Sequence, residues 1–261
     1  MRPLITLTTD FGTRDPYVAS MKGVIARRCP EAAIADLSHD IPAQDVLSGA
    51  LFIAEAARWF PEGTIHCIVV DPGVGTARLP IAVRAGNQYF VCPDNGLLTF
   101  VSRRTPIDEA RTIANAEFIL EPISATFHGR DMFAPAAAGL ANGIPLANAG
   151  DRLSTLTMLD VAQPAEDEAG VVHGIVTHVD RFGNAITNLT ASTINSRDAL
   201  CVRFNGVEIT GIRETYGDVA PGQAVVLTGS AGFIEIAVHR GSAAESFNLR
   251  RGTRVEIWRT T

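Results

Sequence analysis

The chain of 261 residues has no long apolar run, no excess of basic charge and no closely spaced cysteines. A helix that spans a bilayer needs ~20 apolar residues, and a secretory signal needs a longer apolar stretch than the one near the N-terminus. Lys and Arg are dispersed and the formal net charge is −6, so nothing indicates a surface for nucleic acid or an anionic membrane. We therefore expect a soluble, cytoplasmic protein that binds neither.

The motifs of several common enzyme and metal-binding classes are also missing. There is no HExxH or CxxC spacing, no GxGxxG for a dinucleotide, no GxxxxGK[ST] for phosphoryl transfer and no GxSxG nucleophile turn. Disulfides are conceivable, but isolated buried thiols in a reducing cytoplasm fit the wide spacing of the cysteines better. The four cysteines are Cys29, Cys67, Cys92 and Cys201. We expect no metal site.

The first part of the chain alternates strand-like and helix-like segments. Apolar, β-branched runs predict strands, and apolar residues at helical spacing predict helices. The predicted segments are strands Leu4–Thr9, Ala33–Leu37 and Thr64–Val70, helices Tyr17–Arg28, Asp45–Phe60 and Asp131–Leu140, and a hairpin of Ile81–Arg84 with Tyr89–Cys92. Continuously apolar strands are typical of a parallel sheet covered on both faces. Residues 1–162 are therefore predicted to form an α/β domain with a mostly parallel sheet.

Beyond this part the composition changes. Residues 163–170 (QPAEDEAG) are acidic and poor in apolar side chains, which predicts a linker. Residues 171–261 consist of short strand-like runs separated by turns rich in Gly, Asn and Asp, with weak helix signals. That pattern predicts a smaller, antiparallel, barrel-like β domain, so the fold class is α/β with two domains.

Three polar segments are candidates for a site. Thr9–Asp15 and Asp71–Arg78 each follow a predicted strand, and His128 lies in a glycine turn before a predicted helix. In open α/β sheets, ligands bind beyond the carboxyl ends of the strands. Each residue also has a structural explanation, since aspartate initiates turns and a single histidine is more often hydrogen-bonded in the fold than catalytic. Spacing alone does not bring Asp71, Arg78 and His128 together.

Six segments in order resemble the signature segments of the adenosine-forming S-adenosylmethionine hydrolases, also called SAM hydroxide adenosyltransferases, which are hydrolytic relatives of fluorinase and chlorinase. The segments are Leu7–Ile25, Val69–Arg78, Pro93–Leu98, Thr126–Ala138, Asp180–Leu189 and Gly229–Val238. The resemblance implies an N-terminal α/β domain, a smaller C-terminal β-barrel and a homotrimer. It also implies an active site where the N-terminal domain of one subunit meets the C-terminal domain of the next.

The resemblance also assigns residues. It implies that Asp71, Arg78 and His128 are the catalytic triad, with either Asp71 or His128 as the base. It implies that Asp10 binds the ribose, with Phe11 and Asp15 in the same loop. The remaining substrate contacts that it implies are Asp180 and Asn184 for the methionyl amino group, Ser230 for the methionyl carboxylate and Tyr216 against the adenine.

Departures from fluorinase indicate which branch of the family the chain resembles. Asp71 stands where fluorinase has tyrosine, and Gly129 stands where fluorinase has its halide-binding serine. Ala231 and Val238 replace two fluorinase arginines, so a backbone amide is the candidate contact for the carboxylate. The implied reaction is attack of water or hydroxide on C5′ of S-adenosylmethionine, which needs no metal or separate cofactor. The alternatives are a halogenase and a non-catalytic protein that binds adenosine or S-adenosylmethionine.

Overall fold

The computed structural model describes residues 2–190 and 200–260, and the chain divides into two compact units, Met1–Leu159 and Asp160–Thr261. The first unit contains six strands and four α-helices within its described part. Its strands are β1 Leu4–Thr9, β2 Ala33–Ser38, β3 Ile65–Val69, β4 Pro80–Ala85, β5 Gln88–Pro93 and β6 Ile107–Thr112, and its helices are α1 Tyr17–Arg28, α2 Val46–Ala56, α3 Thr99–Arg104 and α4 Ala134–Ala141.

The strands of the first unit form one mixed sheet in the order β2-β1-β3-β5-β4-β6. The first four strands in this order are parallel, whereas β4 and β6 are antiparallel to their neighbours. Apolar clusters cover both faces of the sheet, which explains why β3 is buried along its whole length. The prediction of a mostly parallel sheet is confirmed.

The register of the two central strands decides where the site lies. Thr9 at the end of β1 is paired with Val69 at the end of β3. The loops that begin at Asp10 and at Asp71 therefore leave the same edge of the sheet, at its carboxyl end.

The helix predicted over Asp45–Phe60 ends earlier in the structure. Asp45 caps α2 by accepting a hydrogen bond from Ser48 N at 3.0 Å, but α2 ends at Ala56 and a 3₁₀ turn follows at Ala57–Trp59. Trp59, in the 3₁₀ turn, is exposed, and the buried face of α2 includes Gly49. A Cβ at Gly49 would lie 2.9 Å from Leu97 Cδ2, so the missing side chain allows this close packing.

The helix predicted over Asp131–Leu140 consists of two parts. A π-helical turn spans Gly129–Phe133, and α4 continues from it to Ala141. Pro135 lies in the first turn of α4, where proline is tolerated, and the carbonyl of Asp131 four residues earlier accepts from Leu120 N instead, so the chain remains helical through the proline. Single π turns inside helices occur frequently at functional sites.

The described part of the second unit contains the strands β7 Ala165–Glu166, β8 Val172–Val179, β9 Ala185–Thr190, β10 Leu200–Phe204, β11 Val207–Thr210, β12 Ala224–Thr228, β13 Phe233–Val238 and β14 Arg254–Arg259. They form an antiparallel sheet in the order β11-β10-β14-β8-β9-β13-β12, and β7 pairs with β8. A bridge between Arg213, after β11, and Leu227 of β12 brings the two ends of the order together, and one apolar cluster fills the interior. The predicted barrel-like β unit is confirmed.

Some elements of the second unit were not predicted. A short helix, α5, spans Ala243–Phe247 and is capped by Ser242. The segment predicted as a linker, residues 163–170, contains β7, which pairs with β8. Residues 191–199 of the predicted β domain lie outside the described residues. The four cysteines are buried free thiols, and no helix among the described residues is long and apolar enough to cross a membrane.

Candidate active site

A buried ion pair lies at the carboxyl end of β3. Arg78 Nε donates to Asp71 Oδ1 at 2.9 Å, and Arg78 Nη2 donates to Asp71 Oδ2. The loop between the two residues folds back on itself, because Thr76 N donates to the Gly73 carbonyl at 3.1 Å. The side chains of Asp71 and Arg78 are only 5% and 9% exposed, so this two-point pairing lies largely out of water.

His128 completes the cluster. Its Nδ1 lies 2.8 Å from Arg78 Nη2. Because a guanidinium only donates, Nδ1 must accept this hydrogen bond, and the proton of the neutral ring is therefore on Nε2. The structure brings the sequence-predicted residues Asp71, Arg78 and His128 into one hydrogen-bonded chain.

The surroundings of His128 favour its neutral form. Burial lowers the pKa of His128 below its ordinary value of 6.5, and the positive charge of Arg78 lowers this pKa further. The negative charges of Asp71 and Asp131 act in the opposite direction without reversing the shift. The geometry and the electrostatics therefore both indicate that the His128 ring is neutral and that its Nδ1 is the acceptor.

One nitrogen of the Arg78 guanidinium takes no part in these hydrogen bonds. This nitrogen, Nη1, is buried and has no hydrogen-bond partner within the described residues. The group also lies over the ring of Phe133, with 5.2 Å between Cζ and the ring centroid, which fixes its plane. A buried donor without a partner is rare in proteins, so Nη1 is a natural contact for a water molecule or a substrate oxygen.

The loop after β1 is joined to the same region. Asp10 Oδ2 accepts a hydrogen bond from Gln44 N at 2.8 Å, which holds the carboxylate at the end of the strand. The ring of Phe11 packs against that of Phe127 with 6.0 Å between centroids, and Phe127 directly precedes His128. Asp15 is exposed in the turn before α1. The Asp10 and His128 loops are therefore in contact.

The other predicted substrate contacts lie in the second unit. Asp180 Oδ1 accepts from Asn184 N at 2.9 Å and from Phe182 N at 2.8 Å, and Asp180 Oδ2 accepts from Asn184 Nδ2 at 2.9 Å. This set of bonds fixes a tight turn between β8 and β9. Ser230 is exposed after β12.

Tyr216 is paired with a carboxylate that the sequence analysis missed. Its hydroxyl donates to Glu235 Oε2 at 2.9 Å, and Glu235 is almost wholly buried. Burial is the largest cause that raises the pKa of both groups, and the negative charge of Asp180 contributes to the shift of each. Together with the hydrogen bond to Glu235, these causes raise the pKa of Tyr216 to about 12. Asp180, Tyr216 and Glu235 therefore act on one another electrostatically.

Within the described ranges, no group of three or more His, Cys, Asp or Glu side chains is arranged to hold a metal ion. The donors of the cluster in the first unit are a carboxylate, a guanidinium and one imidazole, and the guanidinium already occupies both oxygens of the carboxylate. What this arrangement offers is a set of hydrogen bonds, with a carboxylate as proton acceptor.

Comparison with known proteins identifies the family. Residues 5–150 match the model of the SAM hydroxide adenosyltransferase N-terminal domain, and residues 174–256 match that of the C-terminal domain. The chain belongs to the SAM hydroxide adenosyltransferase family. The family suggested by the six sequence segments is thus confirmed.

Relatives in this family are similar over almost the whole chain. The (R)-S-adenosyl-L-methionine hydrolase of Thermus thermophilus is 41% identical, with 98% of this chain and 100% of the relative covered. The enzyme of the same name from Salinispora tropica is 39% identical, over 98% of this chain and 97% of the relative. A fluorinase from Actinoplanes sp. is 30% identical over the same shares. This SAM hydroxide adenosyltransferase family member is therefore more similar to those two hydrolases than to that fluorinase.

Two solved structures are also similar to this chain over almost its whole length. The crystal structure of an uncharacterized conserved protein from Thermotoga maritima has a TM-score of 0.91 and 38% sequence identity, and it covers 98% of this chain and 100% of its own. The crystal structure of a conserved hypothetical protein from Thermus thermophilus has a TM-score of 0.81 at 38% identity, with 99% and 100% covered.

Besides Glu235, sequence reasoning missed Asn95. Its Nδ2 donates to the carbonyl of Val70 at 2.9 Å, directly before Asp71, and its Oδ1 is buried with no partner in the described part of the chain. The resemblance covered Pro93–Leu98 but gave Asn95 no role. An asparagine in a loop normally indicates a turn, so the sequence itself held no further signal.

Proposed function

We propose that this protein hydrolyses S-adenosyl-L-methionine to adenosine and L-methionine. In the reaction, an oxygen of water or hydroxide forms a bond to C5′ while the bond between C5′ and the sulfonium sulfur breaks. The bonding electron pair goes to sulfur, which becomes the neutral thioether of methionine. The observation that supports this reaction best is the buried chain of Asp71, Arg78 and His128 at the strand ends.

The difficult part of the reaction is the nucleophile, since the sulfonium is already a good leaving group and needs no acid. Water has a pKa of about 15.7 and must be oriented and relieved of a proton. The free lone pairs of Asp71 can accept that proton, and the spare Nη1 of Arg78 can hold the oxygen. Because His128 Nδ1 already accepts from Arg78, the geometry favours Asp71 over His128 as the base. On this chemistry, no cofactor is needed.

Attack of an anion on a sulfonium cancels charge in the transition state, so a site with little water accelerates it. The low exposure of Asp71 and Arg78 supports such a site. We propose that Asp10, with Phe11 and Asp15, grips the ribose and aligns C5′ for in-line attack. The substrate contacts that we propose in the second unit are Asp180, Asn184, Tyr216 and Ser230.

We further propose a cytoplasmic homotrimer in which the first unit of one subunit and the second unit of the next contribute to each site. The trimer and the shared site follow from the family resemblance, and the cytoplasmic location is proposed because the four cysteines are isolated, buried free thiols. Mixing two inactive variants, Asp71→Ala and Asp180→Ala, tests it, because mixed trimers would regain part of the activity. Light scattering measures the mass of the assembly, and a monomer of full activity would contradict the proposal.

The central experiment incubates the purified protein with S-adenosylmethionine in water enriched in ¹⁸O and separates the products by chromatography. We expect equal amounts of adenosine and methionine, with the label in the 5′-hydroxyl of adenosine. A 5′-halo-5′-deoxyadenosine formed in added chloride or fluoride would instead indicate a halogenase. Tight binding of S-adenosylmethionine without products would indicate a binding protein. Asp71→Ala, folded and inactive, is the matched control.

A further inference from the structure

A second carboxylate near His128 has no role in the proposed reaction. Asp131 lies in the π-helical turn, and its side chain is 1% exposed. Its Oδ1 accepts from Arg130 Nε at 2.6 Å, and its Oδ2 accepts from Arg130 Nη2 at 2.9 Å. Its partner Arg130 lies on the surface and stacks on Phe127, with 5.2 Å between Cζ and the ring centroid. A buried carboxylate requires such a partner.

Asp131 also holds the loop that leads to His128. Its Oδ2 accepts from Ser124 N at 2.9 Å, and its backbone carbonyl accepts from Leu120 N at 2.7 Å. Its own N–H donates to the carbonyl of Phe127 at 3.2 Å. A single residue thus fastens the loop 120–128 near its start, in its middle and at its end.

The middle of this loop lies directly on the loop that carries the ion pair. A Cβ added to Gly75 would be 2.5 Å from the carbonyl oxygen of Ala125, and Gly75 has a φ of +76°. Gly75 lies between Asp71 and Arg78, and Ala125 follows Ser124, whose N–H donates to Asp131. The two loops therefore pack closely at Gly75, next to the residue whose N–H is held by Asp131.

We propose that Asp131 is a positioning residue that holds His128 Nδ1 at Arg78. Only the expected loss of turnover rests on the proposed function. The claim that Asp131 positions His128 does not depend on that function and is tested separately. The alternative explanation is that Asp131 contributes only to the stability of the fold.

Two substitutions separate position from charge. In Asp131→Asn, the side-chain oxygen still accepts from Ser124 N, so the loop stays in place while one negative charge near His128 disappears. The amide nitrogen cannot accept from Arg130 Nε, and this bond is lost, but Arg130 lies on the surface and can turn toward water. In Asp131→Ala, the middle tether is lost and His128 is released toward solvent. The charges that act on His128 are those of Arg78, Asp71 and Asp131. The lost charge should therefore lower the pKa of His128 in the Asn variant. In the Ala variant the same charge is lost, but burial is the largest cause of the lowered pKa, so exposure of the ring should outweigh it and raise the pKa toward the ordinary value.

The titration of His128 is followed by NMR of the histidine side chains, with the resonance assigned by its absence in His128→Gln. Opposite shifts in the two variants support the proposal. Equal shifts, or none, in folded variants would overturn it. This measurement needs no turnover, so it remains decisive even if the wild-type protein produces no adenosine and the proposed function fails.

Steady-state kinetics give the second readout. Because a displacement of about 1 Å at a site can lower the rate ~10²-fold, we expect kcat of Asp131→Ala to fall by at least tenfold with KM within about twofold. Asp131→Asn should retain more activity than Asp131→Ala. Glu55→Gln, which breaks an ion pair with Arg104 elsewhere in the first unit, is the matched control and should leave kcat unchanged. If activity falls only in proportion to the unfolded fraction, Asp131 is merely structural.

Discussion

Arg78→Ala should destabilise the first unit as well as slow turnover strongly. Arg78 is the partner of Asp71, both side chains are almost wholly buried, and the substitution leaves the carboxylate without its cation. Removal of one member of a buried pair reduces the free energy of unfolding by roughly 3–5 kcal/mol, whereas an exposed pair contributes ~0–1 kcal/mol. For a unit of about 160 residues, this corresponds to a fall in Tm of roughly 6–20 °C.

The prediction is checked by urea unfolding of Arg78→Ala, Asp71→Ala and the double variant. Because the uncharged double variant has no unpaired carboxylate, it should be less destabilised than the sum of the single variants by ~2 kcal/mol or more. The control is Arg58→Ala, which breaks an exposed ion pair with Glu55 at 3.2 Å and should change the free energy of unfolding by less than ~1 kcal/mol.

Additivity of the two single substitutions within ~0.5 kcal/mol would refute this reasoning, since it would mean that Asp71 and Arg78 do not depend on each other in the folded state. Adenosine formation is measured well below each Tm, so that lost activity is not lost folding. The loss of a donor that acts on the reacting oxygen typically lowers kcat by ~10²–10³-fold, and we expect a fall of this size for Arg78→Ala.

Three further predictions concern other residues. Because the pKa of His128 is lowered from 6.5, any decline of kcat caused by protonation of His128 should have its midpoint below pH 6.5, and a midpoint at 6.5 or above would contradict this. Because burial and Asp180 raise the pKa of Glu235, its ionisation opposes folding. Glu235→Gln should therefore raise Tm at pH 7 by a margin that shrinks as the pH falls through the Glu235 pKa. Gly75→Ala should lower Tm more than Gly63→Ala, which has a similar φ of +78° but open space, and equal effects would contradict the close contact.

The parallel core of the first unit could be predicted because its strands are apolar on both faces, as in β3. The edge strand β6 could not, because its sequence is largely charged or polar and only Ala110 is buried along it. The helix α5 has five residues, too few for a helical period to be recognised. Length and burial, rather than intrinsic propensity, therefore decided which elements the sequence revealed.

The residues of the candidate site also divide into those that the sequence could locate and those that it could not. Asp10 and Asp71 could be located at strand ends, because an apolar run ends directly before each of them. The contact of His128 with Arg78 spans 50 positions, and no local pattern encodes it. Glu235 and Asp131 are buried carboxylates, which in a sequence are indistinguishable from surface acids until the groups around them are known.

The close packing around Gly129 restricts which reactions a substitution at this position could introduce. It occupies the position at which the resemblance places the halide-binding serine of fluorinase, and it is buried. A Cβ there would lie 3.2 Å from a ring carbon of Phe127, 3.3 Å from the sulfur of Met21 and 3.4 Å from a ring carbon of Phe11. These neighbours must move before a serine hydroxyl has room, and Phe11 joins this cluster to Asp10. Gly129→Ser should therefore lower Tm and adenosine formation without yielding a 5′-halo product in added chloride. If the single variant formed that product, the side chains around Gly129 would move apart more easily than their close packing indicates.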